Sequence, residues 1–496
     1  MLKYKNQVFH CHIATLFWKN PYFCTMGKKR TERIVFENVQ ILDAGAKGVS
    51  VAKAPDGKVI FIPNVVPGDV ADIQTMKKRK AFYEGKAIKI HEFSEHRTEP
   101  VCEHFGVCGG CKWQNMKYSQ QLHYKHNEVY NNLKRIGKIE MPEFEPILGS
   151  EKQFFYRNKM EFGFSSSRWM TQEEVESGAE FDNKNAVGFH IPRMWDKILD
   201  ISKCHLQEDP SNDIRNEIRR FANENNLTFF NPREVSGLLR TLMIRTSSTG
   251  ELMILIQFYE KNKSEIELMM HFLAERFPTV TSLQYVINRK LNDTIYDQDI
   301  ITFKGRNYIL EEMEGLQFSI NAKSFYQTNS EQAYQLYAIT RDFAGLTGEE
   351  LVYDLYTGTG TIAQFVSKKA KKVIGVEAVP EAIADAKENA TRNNITNCEF
   401  FVGDMKNVFN DDFINTHGHP DVVITDPPRD GMHKDVVAQL LKIGAEKIVY
   451  VSCNSATQAR DLALLDEMYK VTRVRPVDMF PQTHHVENVV LLEKRS

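Results

Sequence analysis

The chain is expected to be a multidomain α/β protein: a small β-barrel first, a central mixed α+β region built around a cysteine site, then a doubly wound α/β domain. Three observations predict this. At 496 residues the sequence exceeds a single hydrophobic core, so two to four domains follow. Between Arg33 and Ile90, short alternating apolar runs are broken at regular intervals by turn residues. In the last third, apolar β-branched runs alternate with helical stretches, and several runs stop at an acid or a thiol. The expected parts are 1–25, a non-native or disordered extension; 26–92, the barrel; 93–320, the central region; and 321–496, the Rossmann-like domain.

Composition narrows the class. Hydrophobic residues make up 42% and charged residues 26%, with no apolar run of membrane-spanning length, so a cytoplasmic monomer with no membrane partner is expected. The formal charge of -2 leaves nucleic-acid binding to local basic clusters. Eight irregularly spaced cysteines are too few for a disulfide scaffold and suit a reducing compartment. Met1–Thr25 makes a poor secretory signal because His10 and His12 interrupt its apolar part. Translation is expected to start at Met26, in Met26-Gly-Lys-Lys-Arg30.

In the barrel segment the punctuation is Gly45 and Gly48, Asp56-Gly57, Pro63-Asn64 and Pro67-Gly68-Asp69. Asp-Gly between alternating runs is a hairpin signal, and the spacing suits an OB-like barrel of five or so strands. Lys77-Lys-Arg-Lys80, followed by Phe82 and Tyr83, would combine phosphate-neutralising charge with stacking rings; a solvated charged face is the alternative. The segment resembles the TRAM domain, an RNA-binding barrel attached to several RNA-modifying enzymes.

Cys102, Cys108 and Cys111 follow in C-x5-C-G-G-C, where two glycines let the backbone curl around a bound centre. Cys204 is the natural fourth ligand, as the one further cysteine before the C-terminal part of the chain. Three closely spaced cysteines plus a distant one favour a [4Fe-4S] cluster. Zinc, with His104 or His205 as a ligand, is the alternative.

The middle of the chain says less. Ser119–Gly137 has helical periodicity with basic residues that include Lys125, His126, Lys134 and Arg135. Residues 155–162 and 238–245 alternate basic and apolar side chains as half-buried strands do, and would present a face to RNA or to water.

The last third opens on a strand, a glycine-rich turn and a helix, Leu351-Val-Tyr-Asp-Leu-Tyr-Thr-Gly-Thr-Gly-Thr-Ile-Ala363. Gly358, Gly360 and Ala363 satisfy the G-x-G-x-x-A pattern of dinucleotide binding, and Glu377 at the end of the next strand suits a ribose hydroxyl pair. Two features favour S-adenosylmethionine over NAD. Asp354 would repel a pyrophosphate yet accept hydrogen bonds from a methionyl ammonium. Asp404 and Asp426 end two further strands, and a row of carboxylates suits a cationic cofactor, with Asp404 set to receive an adenine amino group.

Asp426-Pro-Pro-Arg429, the thiol of Ser452-Cys453-Asn454 at the next strand end, and His484-His-Val-Glu487-Asn together resemble the RNA uracil-C5-methyltransferase family. The resemblance covers nearly the whole chain from Met26. It implies that Cys453 adds to C6 of a uracil, that C5 takes a methyl group from S-adenosylmethionine, and that Glu487 removes the C5 proton before Cys453 is expelled. Asp426 and Arg429 would order the uracil edge or the thiolate environment. Cofactor contacts map to Gln327, Asp354, Tyr356, Gly358, Gly360, Thr361, Glu377, Asp404 and Asp426. Tyr356 and Thr361 depart from the phenylalanine and asparagine common in bacterial relatives. Members with both barrel and cluster resemble the 23S rRNA (uracil-5)-methyltransferases, so ribosomal RNA is the expected substrate and transfer RNA the runner-up. An NAD-dependent oxidoreductase would leave Cys453 and Glu487 without roles. A non-catalytic RNA-binding protein would need only the first two parts.

Overall fold

Five strands at the start of the chain close into a barrel: β1 (Val35–Ala44), β2 (Ser50–Lys53), β3 (Val59–Ile62), β4 (Val70–Lys78) and β5 (Phe82–Glu92), in the order β1-β2-β3-β5-β4. The computed structural model describes residues 33–178, 180 and 184–496; the expected extension and the start at Met26 lie outside the described residues. Asp56-Gly57 turns β2 into β3 as predicted, and Ile41, Ala52, Ile60, Ile62, Ala71 and Ile73 fill the barrel. Lys77–Lys80 is exposed at the end of β4 and the turn beyond it. Tyr83 corrects the expected stacking surface: it is buried in the barrel core, and its hydroxyl donates to Asp56 Oδ2 at 2.9 Å. The period of two that exposes one neighbour on β5 buries the next.

The helix Tyr118–Asn132, extended by a π-helical turn over Leu133–Gly137, occupies the expected 119–137 stretch. Lys125, one of the basic residues of that stretch, is fully buried and paired with Asp478.

A second sheet of seven strands follows: β6 (Lys159–Ser165), β7 (Ala186–His190), β8 (Ile198–Asp200), β9 (Leu239–Thr246), β10 (Leu252–Phe258), β11 (Ser282–Ile287) and β12 (Ile301–Gly305). Their order is β12-β11-β10-β9-β6-β7-β8. The helices Ser211–Glu224 and Lys263–Arg276 bury Ile214, Ile218, Met269 and Leu273 against one face. The strand expected over 155–162 begins four residues later, at Lys159, because Phe155 sits at φ +56° and its segment runs as a loop.

After the hairpin β13 (Tyr308–Met313) and β14 (Leu316–Asn321) comes the third sheet: β15 (Leu351–Leu355), β16 (Lys372–Glu377), β17 (Cys398–Val402), β18 (Val422–Thr425), β19 (Lys447–Ser452), β20 (Tyr469–Val477) and β21 (Glu487–Lys494). The order is β17-β16-β15-β18-β19-β21-β20, parallel except for β21, which runs antiparallel to both neighbours. Strands buried on both faces read as continuous Val/Ile runs, and Val449, Val451, Val489 and Val490 are such positions. One apolar cluster joins Met243, Met253 and Leu255 of the second sheet to Phe318, Val352 and Val451, so the expected boundary at 320/321 changes sheet without interrupting the core.

Candidate active site

Parallel strands that share a direction end at one edge, and the turns beyond that edge form the cleft of a doubly wound sheet. β15, β16, β17, β18 and β19 therefore bring Asp354, Glu377, Asp404, Asp426 and Cys453 into a row, although they span a hundred residues of chain.

The glycine-rich turn uses its two glycines differently. Gly360, at φ +74°, caps the helix Thr361–Ser367, and a methyl group on it would lie 2.8 Å from the Phe400 ring and 2.9 Å from Ala386 Cβ. Gly358, at φ +56°, faces open space. Gly360 thus permits close helix–strand packing, and Gly358 keeps the turn clear for a ligand. Asp354 Oδ2 accepts from Thr357 Oγ1 and from the Ala363 amide at 3.0 Å, whereas Oδ1 is buried with no hydrogen-bond partner among the described residues. Burial pushes this carboxyl up to about 7, and an orphaned acceptor of that kind suits a cationic donor.

Glu377 is anchored by backbone amides, Gly358 to Oε2 at 3.2 Å and Ala378 and Val379 to Oε1 at 2.7 and 3.0 Å. Tyr356 stands beside it in the left-handed region, φ +64°, a conformation that costs a tyrosine energy and is found chiefly where a site needs it. Burial, then the charges of Asp461, Asp404 and Glu377, pushes its hydroxyl up to about 12. Asp404 is exposed, caps a short helix through the Lys406 amide at 3.2 Å, and lies 3.6 Å from Lys406 Nζ. Thr361 is buried, its Oγ1 3.3 Å from that of Thr359, and so belongs to the turn's packing. Gln327 is half-buried on the loop before the helix Ser330–Ala344, where its carbonyl accepts from Asn158 Nδ2 at 2.9 Å.

The reacting pair comes from register. β19 and β21 align Val451 with Val489 and Ser452 with Asn488, so one step further brings Cys453 opposite Glu487. Asn488 is fully buried and donates to Gln458 Oε1 at 2.7 Å, which locks the strand end beside that pair. Burial first, then the charges of Glu487 and Asp426, pushes the Cys453 thiol up to about 11, while Arg429 pulls it down. Glu487 is pushed up to about 8 by burial and by Asp426, and Asp426 to about 7 by burial and by Asp354. These carboxyls titrate near neutrality, the range in which a group can both accept and release a proton at pH 7. Arg429 is exposed, but its carbonyl accepts from Asn454 Nδ2 at 2.9 Å and Thr457 Oγ1 at 3.1 Å, tying the Asp-Pro-Pro-Arg loop to the segment after Cys453.

Two further groups stand near this site, and one of them escaped the sequence. Tyr337, buried on the helix Ser330–Ala344, has its hydroxyl pushed up by burial and then by the fields of Asp426, Asp354 and Glu487. His484 and His485 are both pulled down by burial, to about 3 and about 4, and so are neutral imidazoles. The histidine pair stood in the quoted motif, but nothing local marked Tyr337 out from a core aromatic.

The cysteines meet where three parts of the chain converge. Cys102, Cys108, Cys111 and Cys204 line one cavity of about 450 Å³, together with Arg157, Thr328, His484 and His485. Burial raises all four thiols, Cys108 to about 11 and Cys111 to about 12, and Cys204 adds to the rise of the other three. Among the described residues no group of three or more His, Cys, Asp or Glu side chains is placed to hold a metal ion. The four thiols share this cavity, which supplies the donor type of an iron–sulfur centre, but they are not drawn together as the ligands of a formed site. Of the imidazoles weighed for zinc, His104 Nε2 is engaged by the Ser202 amide at 3.2 Å, and the His205 ring packs 5.8 Å from that of Phe155.

The tRNA (uracil-5-)-methyltransferase family matches residues 250–495. An uncharacterized RNA methyltransferase of Bacteroides thetaiotaomicron is 59% identical over 91% of this chain and 100% of its own. One from Porphyromonas gingivalis is 54% identical over 92% and 100%. Among solved structures, the Pyrococcus abyssi tRNA (uracil-54, C5)-methyltransferase in complex with S-adenosyl-L-homocysteine aligns with TM-score 0.71 and 27% identity, covering 92% of this chain and 100% of that one. Among the described residues no helix is long and apolar enough to cross a membrane.

Proposed function

The chain belongs to the RNA uracil-C5-methyltransferase family, and from that premise we propose that it methylates C5 of one uridine in 23S ribosomal RNA through a covalent adduct with Cys453. The observation that carries the chemistry is the register that sets Cys453 opposite Glu487, with Asp426 close enough to raise both. S-adenosylmethionine supplies the methyl group when bound, and Asp354, Glu377, Asp404, Asp426 and Gln327, around the opening at Gly358, would hold it.

C5 of uracil is a weak nucleophile until a group adds at C6. Cys453 loses its proton and its sulfur bonds to C6, which leaves C5 carbanionic and able to take the methyl. Arg429 is the neighbour that favours the thiolate. Glu487 then takes the C5 proton, the C6–S bond breaks, and the electron pair returns to sulfur. With a pKa of about 8, Glu487 suits both acceptance of that proton and its later release. The target base must leave its stack to reach a thiol at a strand end.

The four cysteines would hold a [4Fe-4S] cluster whose role is structural, since the reaction requires no electron transfer. The barrel and the cysteine cavity together favour ribosomal RNA, because bacterial tRNA enzymes of the family generally lack both. One observation favours transfer RNA: the Pyrococcus abyssi tRNA enzyme aligns with 92% of this chain.

The test uses transcripts of 23S rRNA and tRNA in which 5-fluorouridine replaces uridine, incubated with S-adenosylmethionine. Fluorine does not leave as a cation, so a protein–RNA adduct is expected on one transcript with the wild type and on neither with Cys453→Ala. An adduct on tRNA alone would reassign the substrate, and no adduct on either would end the covalent reading.

A further inference from the structure

Between β20 and β21 the chain makes a nine-residue excursion, Asp478–Val486, that ends at Glu487. This loop is gripped by the cysteine segment and by the helix that follows it. Lys125 is fully buried, and its Nζ donates to Asp478 Oδ1 at 2.6 Å and to the Phe480 carbonyl at 3.1 Å. Tyr118 donates to Asp478 Oδ2 at 2.9 Å. Gln121 and Gln482 form a reciprocal clamp, Gln121 Nε2 to Gln482 Oε1 at 3.0 Å and the Gln482 amide to Gln121 Oε1 at 2.9 Å. The Gln482 carbonyl accepts from the amides of Lys112 and Trp113, directly after Cys111, at 2.8 and 3.1 Å. On its other side the loop meets the segment after Gln327, with Asn329 Nδ2 to the Met479 carbonyl at 3.0 Å and Gln332 Nε2 to the Asp478 carbonyl at 2.8 Å.

These contacts are one-sided with respect to the chemistry. Cys453 follows β19, and the segment after it is held by the Arg429 carbonyl and by the far end of the helix that carries Lys125, where Asn132 Nδ2 donates to Ser455 Oγ at 2.9 Å, whereas Lys125 and Asp478 meet in the loop that leads to Glu487. We propose that Lys125, Gln121, Asp478 and Gln482 are positioning residues for Glu487, so that their bonds to the 478–486 loop set the geometry of C5 deprotonation rather than that of attack by Cys453. This inference rests on the reading of Glu487 as the base.

A buried charge without its partner would threaten folding, so the test removes both charges together in Lys125→Met/Asp478→Asn, with Gln121→Met as a second, uncharged lesion. Each full-length variant is compared with wild type and with Glu487→Gln, on whichever transcript forms the 5-fluorouridine adduct. On ordinary uridine RNA the latch variants are expected to turn over on the order of 10- to 100-fold slower and to accumulate a denaturation-resistant adduct that wild type clears. Their 5-fluorouridine adduct yield and S-adenosylmethionine binding should match wild type, because neither needs the base. Slow turnover without an adduct on uridine RNA, a parallel loss of the fluorouridine adduct, or unchanged turnover in both variants would overturn the proposal. If Glu487→Gln itself accumulates no adduct, the base assignment fails, and the proposal falls with it for that separate reason.

Discussion

At the scale of single residues, the site stores unfavourable electrostatics. Glu487 and Asp354 are buried, and burial, with Asp426 between them, pushes all three carboxyls above the ordinary carboxylate range. A carboxyl that binds its proton more tightly folded than unfolded contributes stability at low pH, and that contribution is lost as pH rises through the folded pKa. The window for Glu487 therefore runs from about 4.5 up to about 8. Glu487→Gln is expected to change stability near pH 5 by less than about 1 kcal/mol and to raise it at pH 8 by roughly 4 kcal/mol. Denaturant melts at the two pH values check this, and a variant less stable than wild type at pH 8 would contradict it. Turnover of the wild type should rise with pH through about 8, as Glu487 ionises. Cys453, Asp426 and Glu487 could be named together from sequence because each stands in a short motif, and the fold brings the three to one strand edge. Nothing in the sequence marked Lys125 as buried, because its partner Asp478 lies 353 residues away.

At the scale of elements, the two glycines of the turn before the helix Thr361–Ser367 separate packing from ligand access. Gly360→Ala forces a methyl group against Phe400 and Ala386 in the left-handed region, and should cost roughly 3 kcal/mol of stability. Gly358→Ala adds its methyl to open space, so only the backbone term remains, about 1–2 kcal/mol. Its larger effect should fall on S-adenosylmethionine affinity. Calorimetric titration beside thermal melts distinguishes the two, and equal affinity losses would refute the division of roles. The glycine pattern itself was plain in the sequence; which glycine does which was not, because Phe400 arrives from a different strand. The same limit explains Tyr83. Basic residues followed by aromatics look like a stacking surface, but strand alternation turned that ring into the barrel core.

At the scale of the whole molecule, the cysteine segment is where the parts meet. Asn115 Nδ2 donates to the Asn64 carbonyl of the barrel at 3.2 Å, Cys204 enters from the second sheet, and Lys112 and Trp113 hold the loop of the third. The first barrel and the last, mostly parallel sheet were legible, since each has its own periodicity and punctuation. Their convergence was not, because it depends on contacts between segments distant in the chain. If the four thiols hold a cluster, binding free energy is folding free energy for everything fastened to that segment. Cys204→Ser removes the ligand contributed by the second sheet and leaves the other three in place. The variant purified without oxygen is expected to lose most of its iron and its visible absorbance. It should also melt several degrees lower and become cleavable by protease within 102–111. S-adenosylmethionine binding should survive, because Asp354, Glu377 and the glycine turn draw their support from the third sheet. Full iron content in the variant would remove Cys204 from the ligand set. Loss of cofactor binding along with the iron would show that the third sheet depends on the cysteine segment for more than the placement of Glu487.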